Sequence, residues 1–141
     1  EIEEAKALSR EVSVVKEGLA AAAYGVSAMH DVTEGGVLGA VAELCEAARC
    51  GAELQLQKIP VRNVTKKLCA GLGLNPYRLL SSGSMLIAVK EPQGLLERLR
   101  AAGVPAAVIG RVTQKGLYVL ENGQRRTFEA PRSDEIFRLI G

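Results

Sequence analysis

The segment His30-Asp31-Val32-Thr33-Glu34-Gly35-Gly36 holds the residues of this chain that are best suited to chemistry. An apolar stretch precedes it and an apolar helical pattern follows, so the two glycines stand where a helix begins. The first turn of a helix leaves backbone N–H groups free and carries the positive end of the helix dipole, and glycines there let an anion approach closely. The segment therefore predicts a phosphate-binding turn at Gly35 and Gly36.

The polar side chains of the same segment suggest further roles. Hard cations prefer carboxylate oxygens, so Asp31 and Glu34 can hold Mg²⁺ at a nucleotide. Histidine is the residue type most often used for proton transfer in enzymes, so His30, with Asp31, is a candidate for acid–base catalysis. A structural alternative stays open, because Thr33 can simply cap the helix, Asp31 and Glu34 have the spacing of a capping-box variant, and a lone histidine at a strand end is often only hydrogen-bonded. No Gly-Lys-Ser/Thr follows, so this is not a Walker A loop.

A second loop of small residues, Ser81-Ser82-Gly83-Ser84, offers hydroxyls and backbone amides to an anion or a substrate. The sequence has neither a Ser/His/Asp order nor a nucleophile-elbow motif around these serines, so a plain turn is the alternative interpretation. The basic residues Arg125, Arg126 and Arg132 are interpreted as a solvated surface rather than a phosphate site.

Composition limits the class of protein. The chain has 141 residues, of which 48% are hydrophobic and 24% charged, as in one ordinary globular domain. A net charge of +2 and only 4% aromatic residues argue against a nucleic-acid partner, and no apolar run reaches the length of a membrane span. Three cysteines without a CxxC pair predict buried, reduced thiols in a cytoplasmic protein and no metal site.

Periodicity predicts the element order α-β-α-β-α-β-α-β-β-β-α, an α+β layered domain on a mixed sheet. Glycines at 25 and 51 are expected to end the first two helices. The Asn122-Gly123 pair predicts a type I′ hairpin. The predicted ranges are helices over 1–23, 37–48, 61–70, 92–102 and 133–140, with strands over 26–30, 52–57, 85–89, 106–112, 116–120 and 124–128.

Two segments together resemble the C-terminal domain of the aminoimidazole ribonucleotide (AIR) synthase superfamily. They are residues 30–37 and the run Asn75-Pro76-Tyr77-Arg78-Leu79-Leu80-Ser81-Ser82-Gly83-Ser84, which continues through Val89. The similarity in order and spacing runs from about residue 1 to 137. Within the superfamily, the first segment and the ending Pro131–Ile136 are most similar to the hydrogenase-maturation proteins HypE.

The resemblance implies a layered α/β/α fold, partly ferredoxin-like, that follows an N-terminal ATP-binding and dimerising domain. It implies an enzyme that uses ATP and Mg²⁺ to activate an amide-type oxygen by phosphorylation. Asp31, Thr33, Gly35 and Gly36 would line the phosphate or substrate side of the cleft between the domains. The carboxylate of Glu34, the hydroxyl of Ser82 and the backbone amide of Gly83 suit the same ligands, so these three residues are also candidate binding residues.

The resemblance also implies partners: the ATP-binding domain, a second copy in a homodimer, and a maturation protein. Residues 1–141 are expected to form one domain without the ATP-binding domain and, alone, to be inactive and free of cofactor. HypE proteins carry a glutamate at the place of Ser82 and a terminal cysteine that receives a carbamoyl group, whereas this chain ends in Leu139-Ile140-Gly141. A non-catalytic interaction or scaffold module therefore remains the alternative function.

Overall fold

The computed structural model describes Glu3, Lys6 and residues 11–139. Most of the first predicted helix before residue 11 lies outside the described residues. Two short 3₁₀ helices span Leu56–Lys58 and Glu135–Leu139. The regular elements are α1 (Val15–Tyr24), β1 (Ala28–Asp31), α2 (Gly36–Ala48), β2 (Gly51–Gln55), α3 (Asn63–Leu72), β3 (Met85–Ala88), α4 (Pro92–Ala101), β4 (Gly110–Thr113), β5 (Leu117–Glu121) and β6 (Gln124–Thr127).

The strands divide between two sheets. β1 and β3 form an antiparallel pair in which Asp31 lies opposite Met85. The other four strands lie in the order β4-β2-β5-β6, with β2 and β5 parallel and the remaining pairs antiparallel. The predicted α+β class with a mixed sheet is confirmed, and the separation of β1 and β3 from the mixed sheet is the feature that periodicity did not indicate.

Two hydrophobic clusters hold the elements together. In the first, α2 covers the four-stranded sheet, and Leu38, Val41 and Cys45 form one helical face at steps of three and four. In the second, α1 and α4 pack together through Ala21, Leu95 and Leu99. The helix α2 also contacts β1 and β3, so it links the two sheets.

Helix ends and turns follow the predictions in part. Gly25 ends α1 in the left-handed conformation, and Asn122 and Gly123 both have positive φ, so the predicted hairpin turn is confirmed. Gly51 does not end α2, because Arg49 takes the left-handed position instead. Gly51 begins β2, where a Cβ atom would stand 2.3 Å from the carbonyl oxygen of Gly116. Close strand approach, rather than helix termination, is what requires glycine there.

The predicted final helix is a short 3₁₀ helix, so its expected type is wrong. The side chain that starts it is Asp134 and not Ser133, since Asp134 Oδ1 accepts the backbone N–H of Ile136 at 2.9 Å. Ile136 and Phe137 stay exposed, so they supply little burial to extend the turn into an α-helix.

The strand prediction over 52–57 also needs correction. Its alternating pattern indicated a half-exposed strand, yet β2 is buried at every position from Gly51 to Leu54. The buried carboxylate of Glu53 pairs with Arg111 at 2.8 Å and Arg125 at 2.7 Å. Their two guanidinium groups satisfy the charge that burial would otherwise penalise. In the described part of the chain, no helix is long and apolar enough to cross a bilayer.

Candidate functional site

The structure brings the two segments singled out in the sequence into direct contact. We call residues 31–36 the first loop and residues 75–84 the second loop. The N–H of Val32 donates to the carbonyl oxygen of Ser84 at 2.8 Å, and that of Leu38 donates to Tyr77 at 3.1 Å. With the β1–β3 pairing, these bonds fix both loops beside the first turn of α2.

Gly36 is the point of closest approach between the loops. Its φ is +62°, and a Cβ atom there would stand 2.6 Å from the Tyr77 carbonyl oxygen and 2.7 Å from that of Leu79. A side chain would therefore both strain the backbone and push the second loop away. Gly36 is required for contact between the two loops.

The first turn of α2 is occupied by the protein's own groups. Gly35 is the N-cap residue, and its N–H donates to Asp134 Oδ2 at 2.8 Å. The N–H of Gly36 donates to the Thr33 carbonyl oxygen at 3.2 Å, and that of Leu38 is used by the second loop. The expectation of free N–H groups at this turn is therefore wrong for these three amides, because Asp134 and two carbonyl oxygens accept them.

The capping alternative is also wrong in its details. Within residues 11–139, no side chain of Asp31, Thr33 or Glu34 makes a capping bond to α2. The carboxylate at the positive end of the helix comes instead from Asp134, 99 residues from Gly35 in the sequence.

Asp134 belongs to the candidate site, although no pattern in the sequence indicated it. It is 2% exposed, and its two oxygens accept from the backbone N–H groups of Gly35 and Ile136. The adjoining Pro131 also lies against Gly35. The tail segment, residues 130–139, is thereby fastened over the start of α2. The only local signal was a Ser-Asp-Glu start of a helical turn, which does not reveal a long-range acceptor.

Polar side chains that remain available lie on the outside of the loops. Asp31, Thr33, Glu34 and Ser82 are exposed, while Gly35 and Gly36 are buried. Among contacts of the described residues, the Glu34 carboxylate has neither a hydrogen bond nor an ion pair. A ligand approaching this corner would meet carboxylate and hydroxyl oxygens rather than helix amides.

Gly83 has a structural reason of its own to be glycine. Its φ is +92°, and a Cβ atom would stand 2.2 Å from the carbonyl oxygen of Glu11. The chain that leads into α1 therefore crosses directly over the second loop. Neighbouring Ser81 is used locally, since its Oγ donates to the Leu79 carbonyl oxygen at 2.7 Å.

His30 has acceptors at both ring nitrogens. Nε2 lies 2.8 Å from a Glu43 carboxylate oxygen on α2, and Nδ1 lies 2.5 Å from the carbonyl oxygen of Asp31. These contacts join β1 to α2 and favour the structural interpretation of His30 that the sequence left open. Its predicted catalytic role stays a prediction.

Two clefts flank the tail segment. The first, about 570 Å³, lies between α2 and residues 130–134 and is lined by four acidic side chains against one arginine, namely Glu34, Glu43, Glu46, Asp134 and Arg132. The second, about 490 Å³, is lined by Arg78, Arg132 and Arg138 together with three acidic residues. Within it, the hydrogen bond from Arg138 lowers the pKa of Glu135, against the opposing effect of burial, and the Asn75 N–H adds to the lowering.

The basic residues Arg125, Arg126 and Arg132 are all exposed, as expected for a solvated surface. Arg125 pairs with Glu53 and stacks 3.6 Å over the centre of the Tyr118 ring, whereas Arg132 lines the two clefts. No group of three or more His, Cys, Asp or Glu side chains among residues 11–139 is arranged to hold a metal ion. Asp31 and Glu34 would thus need oxygens from a ligand to complete a Mg²⁺ shell.

Comparison with known proteins decides the family. Residues 2–121 match the family described as AIR synthase related protein, C-terminal domain. This chain belongs to that family. The resemblance drawn from the two loops is confirmed, and the tail segment with Asp134 lies beyond the matched range.

The chain is similar to HypE proteins within this family. The chain is 33% identical over 127 residues to the carbamoyl dehydratase HypE of Escherichia coli (strain K12), an alignment that covers 82% of this chain and 36% of the relative. A crystal structure of E. coli HypE, a hydrogenase maturation protein, superposes with a TM-score of 0.78 at 28% identity, covering 89% of this chain and 42% of that one. The chain thus spans about a third of the length of this curated relative.

Two further solved structures share the fold. One is a HypE–HypF complex, with a TM-score of 0.76 at 21% identity, covering 84% of this chain and 41% of that one. The other is HypE in complex with ATP, with a TM-score of 0.68 at 22% identity, covering 77% of this chain and 36% of that one.

Proposed function

We propose that this chain is the C-terminal, substrate- and phosphate-side domain of an ATP-dependent, HypE-like enzyme that activates an amide-type oxygen by phosphorylation. Its family and its similarity to a carbamoyl dehydratase support this reaction class. The ATP complex of a HypE with the same fold supports ATP as the phosphate donor. The nucleotide itself would sit on a preceding ATP-binding domain.

The observation that carries the proposal is the joining of the two loops at one corner. This contact brings the backbones of both loops to the start of α2, beside the end of the β1–β3 pair, and both loops carry exposed polar residues, namely Asp31, Thr33, Glu34 and Ser82. Exposed side chains on a backbone fixed by buried glycines are pre-organised for a ligand.

The residues present fit a Mg²⁺-phosphate ligand through their side chains. The carboxylates of Asp31 and Glu34 would repel a bare phosphate. A Mg²⁺ ion held between them and the phosphate would neutralise that charge, because carboxylate and phosphate oxygens both suit it as ligands. Thr33 and Ser82 can donate hydroxyl hydrogen bonds to phosphate or substrate oxygens. The amide of Gly35 takes no part, because Asp134 holds it.

Partners follow from the same proposal. Val12, Val15 and Leu19 are large apolar side chains that stay exposed on and before α1. Such a surface suits the packing of the ATP-binding domain or of a second copy in a homodimer. A HypF-like maturation protein is the further partner that the solved complex supports. The protein would work in the cytoplasm.

A non-catalytic scaffold is favoured by one specific observation. Asp134 fills the anion position at the start of α2, so this corner of the fold is complete without a ligand. Ser82 also replaces the glutamate expected from the resemblance. In this alternative the exposed loop oxygens would only be solvated.

ATP hydrolysis separates the two functions. In the polypeptide that joins this chain to its ATP-binding domain, Asp31→Asn is expected to lower turnover about a hundredfold, because a charge that positions the phosphate is lost. Glu121→Gln, on an exposed acid at the end of β5, is the matched control and should retain full turnover. Turnover unaffected by Asp31→Asn would refute the role of the first loop, and no turnover in any form would establish the scaffold.

A further inference from the structure

Two of the three cysteines meet at the end of α2. Arg49 takes the left-handed conformation there, and its N–H donates to the Glu46 carbonyl oxygen at 3.1 Å. The N–H of Cys50 donates to the Cys45 carbonyl oxygen at 3.0 Å. These two bonds define a Schellman motif, which brings the residues at positions 45 and 50 together.

The side chains of this pair are in contact as well as their backbones. The Cys45 and Cys50 side chains are close enough to interact electrostatically, and Cys50 packs against the buried cluster that contains Cys45. A disulfide needs Cα atoms about 4.4–6.8 Å apart, a spacing that two residues joined by a backbone hydrogen bond can meet. Little movement is therefore needed to join the two sulfur atoms.

The pair is also reachable from solvent. Both cysteines line the first cleft of about 570 Å³, and Cys50 is only half-buried. The wall of this cleft carries Glu43 and Glu46, and its acidic side chains outnumber its single arginine. A positively charged reagent is therefore favoured over an anionic one in this cleft.

We propose that Cys45 and Cys50 form a thiol–disulfide exchange site whose substrate is a small, positively charged disulfide of the aminothiol class. The Cys50 thiolate attacks one sulfur of the reagent, whose S–S bond breaks and releases one aminothiol that carries a proton. Cys45 then attacks the Cys50 sulfur of the mixed disulfide and releases the second aminothiol with the other proton. Two protein thiols are oxidised to a disulfide, and one small disulfide is reduced to two thiols.

The order of the two steps follows from exposure. Burial, with the neighbouring Cys50, raises the pKa of the Cys45 thiol to about 11, so Cys45 is protonated at neutral pH. Because the thiolate is the nucleophile, closure by Cys45 is the slow step. Its rate is expected to rise about tenfold between pH 7 and pH 8, since the thiolate fraction of a group with so high a pKa rises in that proportion.

Mass spectrometry of the folded chain treated with cystamine tests the proposal. The wild-type chain is expected to lose two hydrogen atoms and to retain no adduct, with a 45–50 link in its peptide map. Cys45→Ala should stop at a cystamine adduct on Cys50, and Cys50→Ala should form neither product. Cys69→Ala is the matched control, because it removes a buried thiol that lies on α3. This variant should form the 45–50 disulfide as the wild type does. Circular dichroism checks that each variant remains folded.

Three results would overturn the assignment of Cys45 and Cys50 as an exchange site. They are a wild-type chain that ends as a stable adduct on Cys50, a link that includes Cys69, and closure as fast in the urea-unfolded chain as in the folded one. Oxidised glutathione, which is anionic, should close the bridge more slowly than cystamine, and an equal or faster rate would refute the assigned substrate class. Because none of these measurements involves ATP, their outcome is independent of the proposed function.

Discussion

Replacing Gly36 with alanine is expected to lower the free energy of unfolding by about 3 kcal/mol or more. The new Cβ atom would lie 2.6–2.9 Å from three backbone atoms of Tyr77 and Leu79, none of which can rotate away as a side-chain tip could. The positive φ of Gly36 adds a conformational cost for any L-residue. Relief requires the second loop to shift, so the contact that defines the candidate site would be lost together with stability.

Gly71→Ala is the matched control for this substitution. Gly71 lies within α3, and a Cβ atom there would meet nothing within 4 Å. Alanine at such a helical position is expected to stabilise the fold by about 0.5–1 kcal/mol. Urea unfolding of both variants measures the difference. If Gly36→Ala were as stable as Gly71→Ala, the two loops could not approach each other closely at Gly36.

Replacing Asp134 with alanine is expected to cost about 3 kcal/mol of unfolding free energy. The substitution removes a buried carboxylate that accepts two backbone hydrogen bonds, and it leaves the Gly35 N–H without its acceptor at the positive end of α2. Asp134→Asn keeps one acceptor oxygen but loses the charge, so an intermediate loss is expected. Hydrogen exchange at Gly35 and Ile136 should become faster in both variants.

Glu129→Ala controls for the loss of an acidic side chain from the same region. Glu129 is exposed, and among residues 11–139 only its backbone oxygen takes part in a hydrogen bond, with Arg78. Its unfolding free energy should change by less than about 0.5 kcal/mol. Equal stability of Asp134→Ala and Glu129→Ala would show that the tail segment is not fastened to α2 in solution.

Local patterns were sufficient for most of the fold. The spacing of apolar residues predicted α2, and Asn122-Gly123 predicted the β5–β6 turn, because both depend on interactions between residues close in the sequence. The assignment of strands to two sheets depends on pairings between distant segments, such as β1 with β3, and no local pattern encodes them.

The candidate site was predictable in outline but not in its hydrogen bonding. The sequence identified both loops as chemically suggestive, and the structure brings them together. Glycine at position 36 was interpreted as room for an anion, whereas it makes room for the backbone of Tyr77 and Leu79. A glycine in a sequence indicates that another group lies close to its backbone, but the sequence does not show whether that group is a ligand or another part of the chain. The acceptor for Gly35 was unpredictable for the same reason, since Asp134 reaches it from the far end of the chain.

The proposed function requires that the exposed oxygens of the two loops face the nucleotide on a neighbouring domain. Nuclear magnetic resonance of the ¹⁵N-labelled chain, titrated with its ATP-binding domain loaded with Mg²⁺ and ATP, tests this directly. We expect amide shift changes at residues 31–34 and 82–83, and none in β6. Changes confined to β6 and the outer face of the four-stranded sheet, or submicromolar binding of ATP by this chain alone, would contradict it.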